Sequence, residues 1–128
     1  MPSCRIDLEA SPTFQKLLRQ SRRQYPKVRD DLIESFSRIE KDYTGACQAV
    51  AVPGFASTVW KYRYKSSDFQ VGSRGGIRII AYYDSAANIL YPLFFYFKKN
   101  QSDTSGQEIN AAIAALKQAL EAPDDGDE

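Results

Sequence analysis

The 128-residue chain contains no histidine. That absence excludes Ser-His-Asp and Cys-His nucleophile pairs, histidine-bearing zinc sites and imidazole acid–base catalysis. Cysteine is nearly as scarce, with Cys4 and Cys47 alone. Two thiols make a poor disulfide framework and too few ligands for a thiolate metal site, and reduced thiols suit a cytoplasmic protein. No metal and no cofactor is expected. Long apolar runs are missing as well. The longest, Ile89 to Phe97, has nine residues with Pro92 among them, against the ~20 that span a bilayer. Met1-Pro2-Ser3-Cys4-Arg5 leads into alternating residues without an apolar h-region, so neither a membrane partner nor a leader is expected. The length suits one domain with a core of its own.

Net charge is also small, at +1, but the charges are sorted along the chain. Thr58 to Asn100 carries seven bases (Lys61, Arg63, Lys65, Arg74, Arg78, Lys98, Lys99) and two acids, Asp68 and Asp84. Glu121 to Glu128 carries five acids and no base. An acidic tail thus masks a basic domain. Bases interleaved with aromatic residues suit a polyanion, nucleic acid above all.

What is present divides into helical and alternating stretches. Cys4, Ile6 and Leu8 alternate with charged residues as in a half-buried strand. Ser11-Pro12 reads as a helix cap with proline in the first turn. Phe14, Leu17 and Leu18 mark one face of a helix that ends before Tyr25-Pro26. Val28, Leu32, Ile33, Phe36, Ile39 and Tyr43 mark a second helix, from Pro26 to about Tyr43, halted by Thr44-Gly45. Residues 49–52 suit a short strand, broken by Pro53-Gly54. From Val59 the period becomes two. Val59–Lys65 is a strand with Trp60, Tyr62 and Tyr64 on one face and Lys61, Arg63 and Lys65 on the other. A glycine-bearing loop over 66–76 precedes a strand at Ile77–Tyr83. A connection at residues 84–88 leads to a last strand, Ile89–Lys98, in which Pro92 demands an edge or a bulge. Ser105-Gly106-Gln107-Glu108 forms a capping box, and the helix it opens shows Ile109, Ala112, Ile113, Leu116 and Leu120 on one face. The expected fold is α+β: a small antiparallel sheet, an N-terminal helical hairpin and a C-terminal helix, with the helices on one face. Residues 1–122 form the domain and 123–128 an acidic, disordered tail.

Lys61, Arg63 and Lys65 leave one strand face, where like charges repel and packing gains nothing. Adjacent strands bring Arg78, with Arg74 before it, and the Tyr96-Phe97-Lys98-Lys99-Asn100 end into the same basic patch. Arginine, lysine and tyrosine are the groups left for catalysis without histidine, and they suit phosphodiester cleavage in RNA. There the 2′-hydroxyl is the nucleophile and guanidinium groups offset charge on the phosphorane, roughly 3–4 kcal/mol per donor in comparable oxyanion sites. A lysine crowded by cations has a lowered pKa and serves as acid or base; Tyr96 positions or exchanges a proton. Few carboxylates lie here, against a two-metal nuclease. The same cations equally suit a non-catalytic binder that contacts phosphates.

Lys61-Tyr62-Arg63, Arg74-Gly75-Gly76-Ile77-Arg78-Ile79-Ile80-Ala81-Tyr82-Tyr83 and Tyr96-Phe97-Lys98-Lys99-Asn100, followed by a helix, resemble the RelE/HigB superfamily, the HigB branch above all. These are toxins of bacterial type II toxin–antitoxin modules. The resemblance implies a ribosome-dependent mRNA endoribonuclease that cuts in the decoding site by 2′-hydroxyl attack. It implies Arg63 and Arg78 on the scissile phosphate, a further catalytic cation at Lys99, and Lys61 and Lys65 on rRNA or mRNA backbone, within a basic surface that includes Arg74 and Lys98. It also implies a cognate antitoxin and a higher-order toxin–antitoxin complex on operator DNA. Ala81 interrupts the usual aromatic pair, and Phe97-Lys98 replaces the Tyr-Gly of near relatives, which bears on Tyr96. A ParE-like gyrase inhibitor and a non-catalytic RelE-fold interaction domain stay open as alternatives.

Overall fold

The computed structural model describes residues 3–49, 58–64, 76–97 and 106–121. In chain order the elements are β1 (Arg5–Ile6), α1 (Pro12–Ser21), α2 (Val28–Lys41), α3 (Tyr43–Ala46), β2 (Gln48–Ala49), β3 (Val59–Tyr64), β4 (Ile77–Asp84), β5 (Ile89–Phe97) and α4 (Gly106–Glu121). The five strands form one sheet in the order β1-β5-β4-β3-β2. The antiparallel meander β3-β4-β5 is its centre, as the alternating stretches predict. Its margins are less regular: β2 adds antiparallel to β3, whereas β1 lies parallel to β5, with Arg5 opposite Ile89. The sheet is therefore mixed at one edge.

Local chemistry sets the helix ends. Ser11 caps α1 by accepting the Phe14 N–H at its Oγ (3.3 Å), and its hydroxyl donates to the Leu93 carbonyl (3.4 Å), which ties the cap to β5. The helix stops at Ser21, and Tyr25 donates its N–H back to the Ser21 carbonyl (2.9 Å). α2 stops at Lys41, two residues short of the expected end. Asp42 leaves helical geometry there and starts the one-turn α3 by accepting the Gly45 N–H at its carboxylate (3.0 Å). A Cβ at Gly45 would meet the Asp42 carboxylate, so a larger residue there would push the capping side chain aside. Thr44-Gly45 thus belongs to a new turn.

The core has two parts, one on each face of the sheet. Phe14, Val28, Leu32, Phe36 and Ile39 pack on Tyr62, Ile77, Ile79, Phe95 and Phe97. On the other face Ile109, Ala112, Ile113 and Leu116 of α4 pack on Val59, Ile80, Leu93, Phe94 and Tyr96. Helices on one face only, as expected from the element order, is therefore incorrect. Every residue of β5 is buried, the property of a strand covered on both sides. Two stripe residues also lie outside the core. Ile33 is 47% exposed, about 100° round α2 from Leu32, and Leu120 is 48% exposed, one turn beyond the last buried contact of α4 at Leu116.

Pro92 sits at a bulge. The register passes from Ile80 opposite Phe94 to Ala81 opposite Pro92, so Leu93 is the extra residue. The β4–β5 connection closes on Asn88, whose φ of 55° is left-handed. Asp84 Oδ1 there accepts the N–H groups of Ala86 (3.1 Å) and Ala87 (3.4 Å).

Candidate nucleic-acid interface

The α4-side face of the meander changes character along the strands. Its first row is Val59, Tyr82 and Tyr91; the next is Lys61, Ile80 and Phe94; the third is Arg63, Arg78 and Tyr96. The two arginines are direct cross-strand partners, and Tyr96 is the partner of Arg78 on the far side. The Tyr83 N–H donates to the Thr58 carbonyl (2.7 Å), which sets the phase of the β3–β4 ladder. Thr58/Tyr83 and Trp60/Ala81 are hydrogen-bonded pairs, and Arg63/Arg78 is a non-bonded pair. In such pairs the Cα atoms stand about 4.5 Å apart and the side chains run closest. Two guanidinium groups in that position repel.

Their surroundings differ. Arg63 is exposed and Lys61 half-buried, while Arg78 is 5% and Tyr96 6% exposed. The Arg78 Nη1 donates to the carbonyl of its own neighbour Ile77 at 3.5 Å, the outer limit for such a bond. Among the described residues β2 pairs with β3 at Lys61 and Trp60, so Arg63 lies past the end of that strand. Lys61, Arg63, Arg78 and Tyr96 therefore come together on one face. Lys65, Arg74, Lys98 and Lys99 lie outside the described residues.

On the opposite face Tyr62 is buried. Burial pushes its hydroxyl pKa up, against the lowering effect of the Arg38 guanidinium, to which it is hydrogen-bonded. Tyr62 thus fixes β3 to α2 and takes no part in the basic row. Tyr96 also borders a groove of roughly 450 Å³ between α1 and α4, whose walls include Lys16, Leu17, Phe94 and Ala112. At the end of β5 the Tyr25 ring stacks on Phe97, centroids 3.8 Å apart. That contact brings the α1–α2 corner, with exposed Arg22, Arg23 and Lys27, to the same end of the sheet. These cations are missed when the hairpin is read only for its apolar stripe. The signal that finds them is the run from Ser11 to Arg29, which has no acid.

Among the described residues no group of three or more Cys, Asp or Glu side chains stands close enough to hold a metal ion. No helix there is long and apolar enough to cross a membrane. The arrangement that is present sets two guanidinium side chains and a tyrosine side by side across three strands, one arginine exposed and the other buried.

No family model and no curated sequence matches the chain. The fold is similar to that of a solved structure of the E. coli toxin RelE, a double arginine-to-alanine mutant in the free state. The two superpose with a TM-score of 0.52 at 12% sequence identity, over 88% of this chain and 96% of that one. The protein therefore has the RelE fold.

Proposed function

We propose that the protein is a ribosome-dependent mRNA endoribonuclease, a toxin of the RelE/HigB superfamily on its HigB branch. The observation that carries this reading is the Arg63–Arg78–Tyr96 row, three potential phosphate and proton ligands side by side across three strands. Arg63 and Arg78 bind the non-bridging oxygens of the scissile phosphate. The 2′-hydroxyl attacks phosphorus, so an O2′–P bond forms and the P–O5′ bond breaks. The products are a 2′,3′-cyclic phosphate and a 5′-hydroxyl, and the proton lost from O2′ is balanced by one gained at O5′. No metal or cofactor enters the step. Lys99 supplies a third cation at the phosphate. Lys61, Lys65, Arg74 and Lys98 hold backbone on either side. Tyr96, the cross-strand partner of Arg78, positions or exchanges a proton.

Burial of Arg78 and Tyr96 supports dependence on the ribosome. In the free protein one arginine of the pair is withdrawn, and a substrate held in place by a large partner completes the site. The accompanying partners are mRNA, the ribosome, a cognate antitoxin that silences the protein, and a toxin–antitoxin complex on operator DNA, all in the cytoplasm. The test is induced expression in a bacterial host, with and without the neighbouring reading frame, with mRNA 5′ ends mapped by primer extension. Growth arrest with codon-phased cuts, both lost in Arg63→Ala, is expected. Arrest with intact mRNA overturns the reading in favour of a gyrase inhibitor, and no arrest leaves an interaction domain.

A further inference from the structure

The helical hairpin leaves an apolar furrow uncovered beside α2. Ile33 stands between two hollows of roughly 220 and 240 Å³, which share Leu8, Ile33 and Phe36. Arg29 and Leu32 border the first hollow, toward the start of α2, with Glu9 and Gln15 on its far wall. Ser37 and Glu40 border the second, toward the end of the helix. Arg29, Leu32, Ile33, Phe36, Ser37 and Glu40 thus recur at the three- and four-residue spacing of one helix face. A lone exposed apolar side chain needs no explanation, and Leu120, the other large one, borders neither hollow. Ile33 differs in being a knob with a hole on each side.

Charge along the stripe says what the furrow fits. The helix contributes a cation, Arg29, at one end and an acid, Glu40, at the other. Such a face is complementary to itself when a second helix runs antiparallel. A two-fold axis across the middle of the stripe sets Arg29 opposite the partner's Glu40 and Ile33 opposite the partner's Phe36, and each pair occurs twice. The knob of each copy then enters the hollow floored by Phe36 in the other; an apolar cavity of about 150 Å³ already admits a benzene-sized guest. Both charged groups are available for the contact. Arg29 makes no ion pair among the described residues. Glu40 accepts the Ile6 N–H at Oε2 (3.2 Å) and keeps Oε1 for a guanidinium.

We propose that the Leu8–Ile33–Phe36 furrow is a self-association surface, on which a second copy of this chain packs α2 against α2 about a two-fold axis. Apolar burial drives the contact, while the two Arg29–Glu40 pairs set its direction and register. Contact along one 14-residue helix lies at the low end of the roughly 1,200–2,000 Å² that stable interfaces bury, so the dimer forms in the micromolar range. The Arg63–Arg78–Tyr96 row lies on the other face of the sheet and stays uncovered. The inference therefore goes beyond the RNA reading and does not depend on it.

The test is sedimentation velocity of the full chain over a concentration series, in which the parent should pass from the 14.4 kDa monomer to a dimer. Ile33→Asp should raise the dissociation constant by about 100-fold or more, because the charge enters the interface twice. Arg29→Glu, which sets like charges opposite Glu40, should raise it about tenfold at low salt and less at high salt. Arg29→Lys should stay within a few-fold of the parent. Leu120→Asp, an equal change at the exposed residue outside the furrow, should leave the dimer intact. Ile33, Arg29 and Leu120 are all exposed, and a thermal melt checks that each variant is folded. A parent that stays monomeric throughout overturns the proposal. So does a dimer that survives Ile33→Asp or yields to Leu120→Asp. If the parent is monomeric and Ile33→Asp instead abolishes binding of the neighbouring reading frame's product, the furrow belongs to that partner and self-association is refuted.

Discussion

The Val59/Tyr82/Tyr91 row and the Arg63/Arg78/Tyr96 row lie on one face of the same three strands, with the Lys61/Ile80/Phe94 row between them. Backbone geometry is shared and the chemistry is opposite. At the first row α4 covers the sheet with Ile113 and Leu116, both essentially inaccessible, and Lys117 lies over the Tyr82 ring at 5.6 Å. Apolar burial there stabilises the fold at roughly 25 cal/mol per Å². At the third row two arginines face each other in a non-bonded pair, an arrangement that costs stability. One end of the face is built to fold, and the other sets like charges side by side. The contrast matters because fold similarity alone says nothing about chemistry, whereas a costly arrangement on an otherwise stabilising face does.

Substitutions at the two ends should dissociate activity from stability. Arg63→Ala is expected to lower mRNA cleavage by about 100- to 1000-fold, the loss of one charge-stabilising donor. Its melting temperature should be unchanged or slightly raised, since a like-charge contact is relieved. Leu116→Ala should do the opposite and cost about 2–5 kcal/mol in denaturant unfolding. Its cleavage, measured well below the new melting point, should stay within a few-fold of the parent. Ser11→Ala tests the join between the helical hairpin and β5. Loss of the cap and of the bond to Leu93 should cost about 1 kcal/mol, again with little effect on cutting.

The smallest effect concerns the buried thiols. Burial pushes Cys4 up to about 11 and Cys47 up to about 12, from an ordinary value of 9.0. The native state favours the neutral thiols, so their contribution to stability is complete below pH 9 or so and is lost as pH rises through 11 and above. Melting temperatures should therefore fall over that alkaline window, and Cys4→Ser/Cys47→Ser should flatten the decline. At neutral pH the folded protein should resist thiol-modifying reagents until it is denatured.

Some of this was legible in the sequence because its causes are local. The Ser11-Pro12 cap depends on a few adjacent residues, and Pro92 lacks an N–H wherever it stands, so a helix start could be placed without the fold, and the break at Pro92 narrowed to an edge or a bulge. The period of two put Lys61 and Arg63 on one face. Other features depend on distant chain. A two-residue β1 leaves no mark of its parallel pairing with β5. The opposition of Arg63 and Arg78 depends on how many residues lie between the two strands and how the ladder is phased, and neither is a property of the strands themselves. Burial of Arg78 and Tyr96 follows from packing around them. Two-sided burial of the sheet did have a signature in the apolar run Ile89–Phe97. It was outweighed by an element order that suggested helices on one side.

The most direct test is a reconstituted one, with purified ribosomes carrying a defined mRNA, parent protein or Arg63→Ala, and the mRNA ends analysed chemically. The parent protein should cut the ribosome-bound message at the decoding site, leave a 2′,3′-cyclic phosphate and a 5′-hydroxyl, and spare the same mRNA free in solution, while Arg63→Ala leaves both intact. Intact message with the parent protein, or equal cutting by the variant, would contradict the assignment of the basic row as the catalytic site.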